Sequence, residues 1–310
     1  MALPDSDRRH LLGIDDLEQA TVKRLLDRTG ELARGSSPSR LDLSVTNLFF
    51  EPSTRTRVSF ELAARRVGAE LVNIEAARSS TSKGESLSDT AATLSAMGID
   101  VIVLRHPETG CPSQLADDLQ VPATIINAGD GSGEHPSQAL LDAATLNLAG
   151  LDWPNSIITI VGDLRHSRVA RSGLKLFRRL GAGELRIAGP EGLLPETVDD
   201  PDIGVFESLD AALLDADAVM MLRVQHERMD QAAWPNRAEY ARHWSLTSER
   251  LELARPDCRV LHPGPINRGM EIDPDVADGP QSLILEQVRM GVCARMAIFE
   301  WIAESVGSTR

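Results

Sequence analysis

The densest group of reactive side chains in this 310-residue sequence is Phe50-Glu-Pro-Ser-Thr-Arg-Thr-Arg-Val58. The apolar run Val45-Thr-Asn-Leu-Phe-Phe50 stops at Glu51-Pro52, so Ser53 and Thr54 stand where a buried strand turns into a helix, with Ser53 placed to cap it. Hydroxyls at such a turn donate to anionic oxygens. The unpaired N–H groups of the helix's first turn and the helix dipole act in the same direction. Arg55 adds a planar, forked cation suited to phosphate. A capped surface helix with two solvated arginines explains the same residues equally well.

The other candidates stand singly. Arg105 follows Val101-Ile-Val-Leu104, and His135 opens His135-Pro-Ser-Gln138. Lys83 lies in the polar stretch Arg78-Ser-Ser-Thr-Ser-Lys-Gly84, and Arg168 lies beyond Val161-Gly-Asp-Leu-Arg165. Arg223 and Gln225, two apart on an extended segment, share a face. His262-Pro-Gly-Pro265 is a rigid turn whose carbonyls can grip an amino group. Each has a plainer reading: a strand-end arginine reaching solvent, a structural histidine, a solvated lysine, a chain reversal. What unites them is position. Arg105, Arg223 and His262 directly follow an expected strand, and Ser53, His135 and Arg168 lie a few residues beyond one. In open α/β sheets, ligands bind outside the carboxyl ends of the strands.

The elements that must hold these residues alternate along the chain, which implies an α/β fold with parallel sheets. A first helix is expected over 17–32. The helix after Ser53 should bury Val58, Leu62, Ala63 and Val67, and a later one Leu87, Ala91, Leu94 and Met97. Strands are expected at 45–50, 71–74, 101–104 and 124–127, with a helix opening at His135-Pro136. Gly150-Leu-Asp-Trp-Pro154 punctuates the chain and separates a domain over 1–148 from one over 149–282. The second series expects strands at 156–161, 184–188, 218–222 and 259–261, and a helix carrying Val169, Leu174, Phe177 and Leu180. A final helix, from about 283, offers Leu285, Val288, Val292, Ile298 and Ile302 for packing.

Composition narrows the function further. With 32 basic against 46 acidic residues, the net charge of −14 argues against a general binder of nucleic acid or anionic membrane, though not against a small cationic pocket. Only Lys23, Lys83 and Lys175 are lysines, so a single arginine carries little information. Cys111, Cys258 and Cys293 have no C-x-x-C spacing and are odd in number, which suits a reducing compartment and not a disulfide or zinc framework. The first ten residues lack an apolar signal core, and no stretch approaches a membrane span, so a cytoplasmic protein is expected. Val161-Gly-Asp-Leu-Arg165 lacks G-x-G-x-x-G, and Gly129-Asp-Gly-Ser-Gly133 lacks the G-K-[ST] ending of a P-loop. No G-x-S-x-G elbow occurs, and no histidine pair has metal-ligand spacing.

Ser53-Thr-Arg-Thr-Arg57 resembles the phosphate-binding motif of the aspartate/ornithine carbamoyltransferase family. Further motifs fall in the family's order: Ser82-Lys-Gly-Glu85, Arg105-His-Pro107, Asn127-Ala-Gly-Asp-Gly131, His135-Pro-Ser-Gln138, Val161-Gly-Asp-Leu164, Arg223-Val-Gln225 and His262-Pro-Gly-Pro265. Glu51, where ornithine-specific members usually carry Lys, and the lack of a His-Cys-Leu-Pro segment point to the aspartate branch. The resemblance, which runs from about residue 11 to the final helix, implies two parallel α/β domains with the active site in the cleft between them. It also implies that the C-terminal helix, about 283–310, packs back on the first domain.

Carried over by position, the resemblance assigns Ser53, Thr54, Arg55 and Thr56 to the phosphate and Arg105, His135 and Gln138 to the carbamoyl group. Gly264 and Pro265 would bind through their backbone, and Lys83, Arg168, Arg223 and Gln225 would hold aspartate. Many members carry Leu in place of Gly264, an exchange that a backbone role survives. Arg165 and Arg168 are both candidates, with the spacing from Gly162-Asp163 favouring Arg168. Arg55, Thr56, Arg105 and His135 would act on the reacting atoms. The family's catalytic unit is a homotrimer in which the loop bearing Ser79 and Lys83 reaches into a neighbouring subunit's site, and association with regulatory chains or dihydroorotase is compatible with it. The activity implied is carbamoyl transfer from carbamoyl phosphate to the amine of L-aspartate, early in pyrimidine biosynthesis, with no metal or organic cofactor. The competing readings are another acceptor such as ornithine, a scaffold that has lost catalysis, and a carbamoyl phosphate sensor.

Overall fold

A computed structural model describes residues 9–75, 84–118, 121–198, 200–224 and 237–306. The chain divides into two compact units, Met1–Ala144 with Val288–Arg310, and Thr145–Gln287.

The first unit runs α1 (Gln19–Ala33), β1 (Ser44–Phe49), α2 (Thr54–Arg66), β2 (Glu70–Glu75), α3 (Leu87–Ala96), β3 (Val101–His106), α4 (Cys111–Ala116), β4 (Thr124–Asp130) and α5 (Pro136–Leu148). Its sheet is parallel throughout, in the order β2-β1-β3-β4. Parallel strands are covered on both faces, and these read accordingly as nearly continuous apolar runs. Leu48, Ile102, Leu104 and Ile125 pack with Ala91, Leu94 and Leu115 of α3 and α4. The alternating positions Val45, Val101, Val103 and Ile126 are equally buried.

The apolar stripe of α2 differs from expectation. Phe60, Ala63, Ala64 and Val67 are buried, whereas Val58 and Leu62 are both 40% exposed. Residues 60, 63, 64 and 67 form an i, i+3, i+4, i+7 face, and the wide Phe60 ring decides which face turns inward. Likewise Ala91 and Leu94 of α3 are buried, but Met97, the C-cap residue, is 76% exposed because the helix has already ended there.

The second unit runs β5 (Ile157–Val161), α6 (Arg168–Arg179), β6 (Glu184–Ala188), β7 (Ile203–Phe206), α7 (Leu209–Leu213), β8 (Ala218–Met221), α8 (Arg237–Trp244), α9 (Ser248–Leu251), β9 (Arg259–Leu261) and α10 (Pro274–Ala277), and α11 (Ile284–Val306) follows. Its sheet is also parallel, ordered β7-β6-β5-β8-β9. The half-exposed β7 has no counterpart among the expected strands, since Ile203-Gly-Val-Phe206 is short and interrupted by glycine. In α6 the buried apolar residues are Ala170, Leu176 and Phe177, while Val169, Leu174 and Leu180 are half-buried.

From Val288 onward, α11 belongs to the first unit. There Glu300 accepts both Nε (2.6 Å) and Nη2 (2.9 Å) of Arg28. Burial works to raise the Glu300 carboxyl, but hydrogen bonds from Arg28 and Ser39 outweigh it and hold it below its usual range. Val292, Ile298 and Ile302 are buried, while Leu285 (82% exposed) and Val288 (48%) are not.

The thiols supply a pH prediction. Burial, and next the charge of Asp217, push Cys258 from 9.0 up to about 12. The unfolded chain therefore loses this proton near pH 9 while the native state keeps it, so native stability falls as pH rises from 9 towards 12. Cys258→Ala should flatten that decline by at most about 1.4 kcal/mol per pH unit, read from urea unfolding at a series of alkaline pH values.

Candidate active site

In the first unit the sheet order reverses between β1 and β3, since the chain builds outward from β1 to β2 and then crosses to the other side. Such a switch point leaves a crevice at the strands' carboxyl ends. The candidates flank it. Phe49 at the end of β1 pairs with Arg105, the penultimate residue of β3, and Phe50 N–H donates to the Arg105 carbonyl at 2.9 Å. Arg105 is thus inside the strand and not directly after it. Its Nε lies 3.2 Å from Glu51 Oε2, and its Nη1 donates to the Ala128 carbonyl at 3.2 Å. The side chain is spanned between the ends of β1 and β4.

Ser53 occupies the N-cap position of α2 with extended backbone, but its hydroxyl makes no capping bond. The first turn of α2 contains no acidic residue, unlike α3, where Asp89 sits in the first turn and Ser86 caps through its side chain. The N-terminus of α2 therefore keeps its positive end for an outside anion. Thr54 and Arg55 are exposed beside it, and Thr56 is buried.

The loop between β4 and α5 is a wired turn. Asp130 accepts from Gly110 N–H (2.7 Å), Asn127 Nδ2 (2.9 Å) and Glu134 N–H (2.8 Å). A Cβ on Gly131 would come within 2.7 Å of the Pro107 carbonyl, so the glycines here permit close backbone approach and are no phosphate cradle. The turn delivers His135 and Gln138, both buried. His135 Nδ1 lies 3.5 Å from Ser137 Oγ, and Gln138 Nε2 donates to Asp142 Oδ1 at 3.0 Å. Ser79 and Lys83 lie outside the described residues.

The second unit repeats the pattern. Its order reverses between β5 and β8, and Arg168, Arg223 and the His262-Pro-Gly-Pro265 turn follow the three neighbouring strands β5, β8 and β9. Arg168 is the first residue of α6 and is buried, with Ser167 capping through Ala170 N–H at 3.1 Å. Arg165 instead reaches Glu196 at 2.5 Å on the surface, which separates the two candidate arginines. Arg223 stands two residues beyond β8, where Glu271 Oε1 accepts from Val224 N–H at 3.1 Å. Burial raises the Glu271 carboxyl although Asn267 and Val224 donate to it. Gly264 has φ +66°, a conformation that glycine adopts readily, and its N–H donates to His262 Nδ1 at 2.8 Å. With that N–H committed, the turn suits a role through carbonyl oxygens. Gln225 lies outside the described residues.

Two other features are no rivals to these. His106, Glu108 and Cys111 bring potential ligand atoms within 4.8 Å of one another. However, His106 Nδ1 already accepts Glu108 N–H at 3.1 Å, and burial, with Glu108 next, pushes the Cys111 thiol up to about 11, away from the thiolate a metal needs. A groove of 760 Å³ along α1 and α11 is lined by Arg24, Arg28, Glu300 and Glu304, whose charges bridge one another.

The model of the aspartate/ornithine carbamoyltransferase carbamoyl-P binding domain matches residues 9–147, and that of the Asp/Orn binding domain matches 155–302. The chain belongs to the aspartate/ornithine carbamoyltransferase family. It is 50% identical over 305 residues to the aspartate carbamoyltransferase catalytic subunit of Xanthomonas campestris pv. campestris (strain B100), covering 96% of each chain. The catalytic subunit of Mesorhizobium japonicum is 47% identical, over 96% of this chain and 93% of that one. Among solved structures, aspartate transcarbamoylase of Trypanosoma cruzi in complex with N-(phosphonacetyl)-L-aspartic acid superposes with a TM-score of 0.84 at 32% identity, covering 96% of each chain. Ornithine carbamoyltransferase from Pyrococcus furiosus superposes with a TM-score of 0.83 at 25% identity, over 96% of this chain and 97% of that one.

This carbamoyltransferase fold also gives contacts to residues that the sequence reading assigned no part in the site. Glu51, read from the sequence only as a marker of the aspartate branch, pairs with Arg105. Asp142 of α5 and Arg295 of α11 are buried, and a lone arginine in Val292-Cys-Ala-Arg-Met-Ala-Ile298 was the visible sign of the second.

Proposed function

We infer that the chain transfers the carbamoyl group of carbamoyl phosphate to the amine of L-aspartate, giving N-carbamoyl-L-aspartate and phosphate. The observation that carries this reading is the anion-ready turn at Ser53–Thr56 beside Arg105 at a switch point, in a chain whose relatives near 50% identity are aspartate carbamoyltransferase catalytic subunits. The solved Trypanosoma cruzi relative has been captured with carbamoyl phosphate and aspartate.

The physical difficulty is that both substrates are anions and the attacking nitrogen must be a neutral amine. Ser53, Thr54, Arg55 and Thr56, with the N–H groups of α2, hold the phosphate. Arg105, His135 and Thr56 stabilise the charge that grows on the carbamoyl oxygen, each donor contributing about 3–4 kcal/mol, and Gln138 orients the carbamoyl group. Gly264 and Pro265 contribute carbonyl oxygens to carbamoyl phosphate. Arg168, Arg223 and Gln225, with Lys83, hold the aspartate carboxylates. The amine nitrogen bonds to the carbonyl carbon, the bond from that carbon to the phosphate oxygen breaks, and the departing phosphate takes the amine's proton. No side chain forms a covalent bond, and holding the reactants in register supplies much of the remaining acceleration. Neither a metal nor an organic cofactor enters this scheme.

A homotrimer with Ser79 and Lys83 shared between subunits completes the proposal. It is supported by the apolar exposure of Val58 and Leu62 on α2 and Val72 on the edge strand β2. The buried free thiols Cys111, Cys258 and Cys293 suit a cytoplasmic setting. The purified chain should form carbamoyl aspartate in a colorimetric assay, with ornithine giving no product, and its native mass should be that of three chains. Product from ornithine alone would refute the acceptor assignment. Mixing Lys83→Ala with Arg55→Ala subunits under exchange should restore part of the activity, and continued silence would refute the shared site.

A further inference from the structure

Among the buried charges of the described residues that the scheme above does not use is a cation of the first unit. Arg295 lies in α11 between apolar neighbours, and only 2% of its surface is exposed. Its guanidinium sits 4.7 Å from the centre of the Phe60 ring in α2. Nη1 donates to the Gly291 carbonyl of its own helix at 2.9 Å, and Nη2 lies 3.5 Å from Ser137 Oγ in α5. Burial pulls this guanidinium from 12.5 down to about 9, with the nearby Asp142 carboxylate acting in the opposite sense. A methionine or leucine would fill the same space without that penalty, because replacing a buried ion pair by apolar residues is often neutral or stabilising.

Its surroundings lead to the proposed carbamoyl-binding residues by two routes, a hydrogen bond to Ser137 and the electrostatic attraction of Asp142. Asp142, fully buried, accepts Gln138 Nε2 at 3.0 Å. Ser137 Oγ, which accepts from Arg295 Nη2, lies 3.5 Å from His135 Nδ1. An arginine can only donate, so the Ser137 oxygen accepts from it and the hydroxyl's own hydrogen remains for another acceptor, of which Nδ1 is one when it is unprotonated. A neutral imidazole whose Nδ1 accepts carries its proton on Nε2.

We propose that Arg295 is a positioning residue for carbamoyl transfer: through Ser137 it fixes the His135 tautomer that donates from Nε2, and through Asp142 it fixes the Gln138 carboxamide. The proposal rests on the assignment of His135 and Gln138 to the carbamoyl group. The same guanidinium packs on the Phe60 ring of α2, the helix whose first turn carries Thr54–Thr56. A misplacement of about 1 Å in such a group can cost about 10²-fold in rate.

The test uses three changes in the full chain. Ser137→Ala removes only the linking hydroxyl. Arg295→Lys keeps the charge without the two-way reach, and Arg295→Met with Asp142→Asn removes both buried charges together. In 15N spectra of histidine-labelled protein, parental His135 should show a protonated Nε2 and a hydrogen-bonded, bare Nδ1, and Ser137→Ala should lose the Nδ1 signature. We expect kcat to fall about tenfold in Ser137→Ala and about 10–100-fold in the Arg295 variants, with the KM for aspartate within twofold and melting curves retained. Parental kcat in any folded variant, or a proton on Nδ1 of parental His135, overturns the proposal. Should neither Arg295 variant fold, Ser137→Ala decides alone. Should the parent form no carbamoyl aspartate, the reaction assignment fails separately, and the His135 spectrum still judges the tautomer.

Discussion

Replacing Arg55 by alanine should reduce carbamoyl aspartate formation by about 10³-fold or more while leaving the far-ultraviolet circular dichroism unchanged. The side chain is exposed in the first turn of α2, and that turn contains no acidic residue. Exposed positions of this kind change stability by only about 0.5 kcal/mol, so the fold should survive. The loss should be concentrated in kcat, because the charge on the departing phosphate is greatest as its bond to carbon breaks. Arg55→Lys should recover a minor part, since an ammonium offers a point charge where the guanidinium offers a fork. Steady-state kinetics with both substrates varied, run beside a melting curve, checks this. Activity within tenfold of the parent would remove Arg55 from the phosphate site.

Arg105→Met should lower kcat by about 10²–10³-fold, the range expected for losing one preorganised oxyanion donor. Two effects combine. The donor disappears from the switch point, and Glu51 loses the ion pair it makes with Arg105 at 3.2 Å. A carboxylate without that counter-charge repels carbamoyl phosphate, so the KM for that substrate should also rise. The companion change Glu51→Gln separates the two: combined with Arg105→Met it should restore the KM while kcat stays low. A double variant whose kcat returns to the parental value would mean that Arg105 serves only to neutralise Glu51. Thermal stability should fall in Arg105→Met and recover in part with Glu51→Gln, because both side chains are mostly buried.

The local geometry of the candidate site was partly legible because several of its residues are neighbours in sequence. The Phe50–Val58 motif combines a strand end, a helix start and a cation in nine neighbouring residues, and the backbone follows as soon as β1 and α2 form. The strands were legible for a similar reason. Parallel strands covered on both faces must be apolar throughout, and 184–188 and 259–261 coincide with β6 and β9 as found. Helix faces were harder to read. Val58 and Leu62, or Leu285 and Val288, are as apolar as the residues that are buried, and only the neighbouring element decides which side it covers. Where Pro or Gly interrupted a short element, as in α4 or β7, periodicity had too few residues to register.

The order of residue types along the chain was enough to declare an α/β protein with anion-binding chemistry at its strand ends, because alternation, turn residues and strand-terminal cations are local properties. Tertiary structure alone decided the sheet orders that make β1, which leads into Ser53–Thr56, a neighbour of β3, which carries Arg105, and that make β5 and β8, the strands before Arg168 and Arg223, neighbours in the second unit. It also decided that Arg165 should bind Glu196 while Arg168 is buried, and that Arg295 should lie beneath Ser137 from 158 residues away. Contacts between residues so distant in sequence depend on which strands become neighbours and how helices cross them, and no local pattern encodes that.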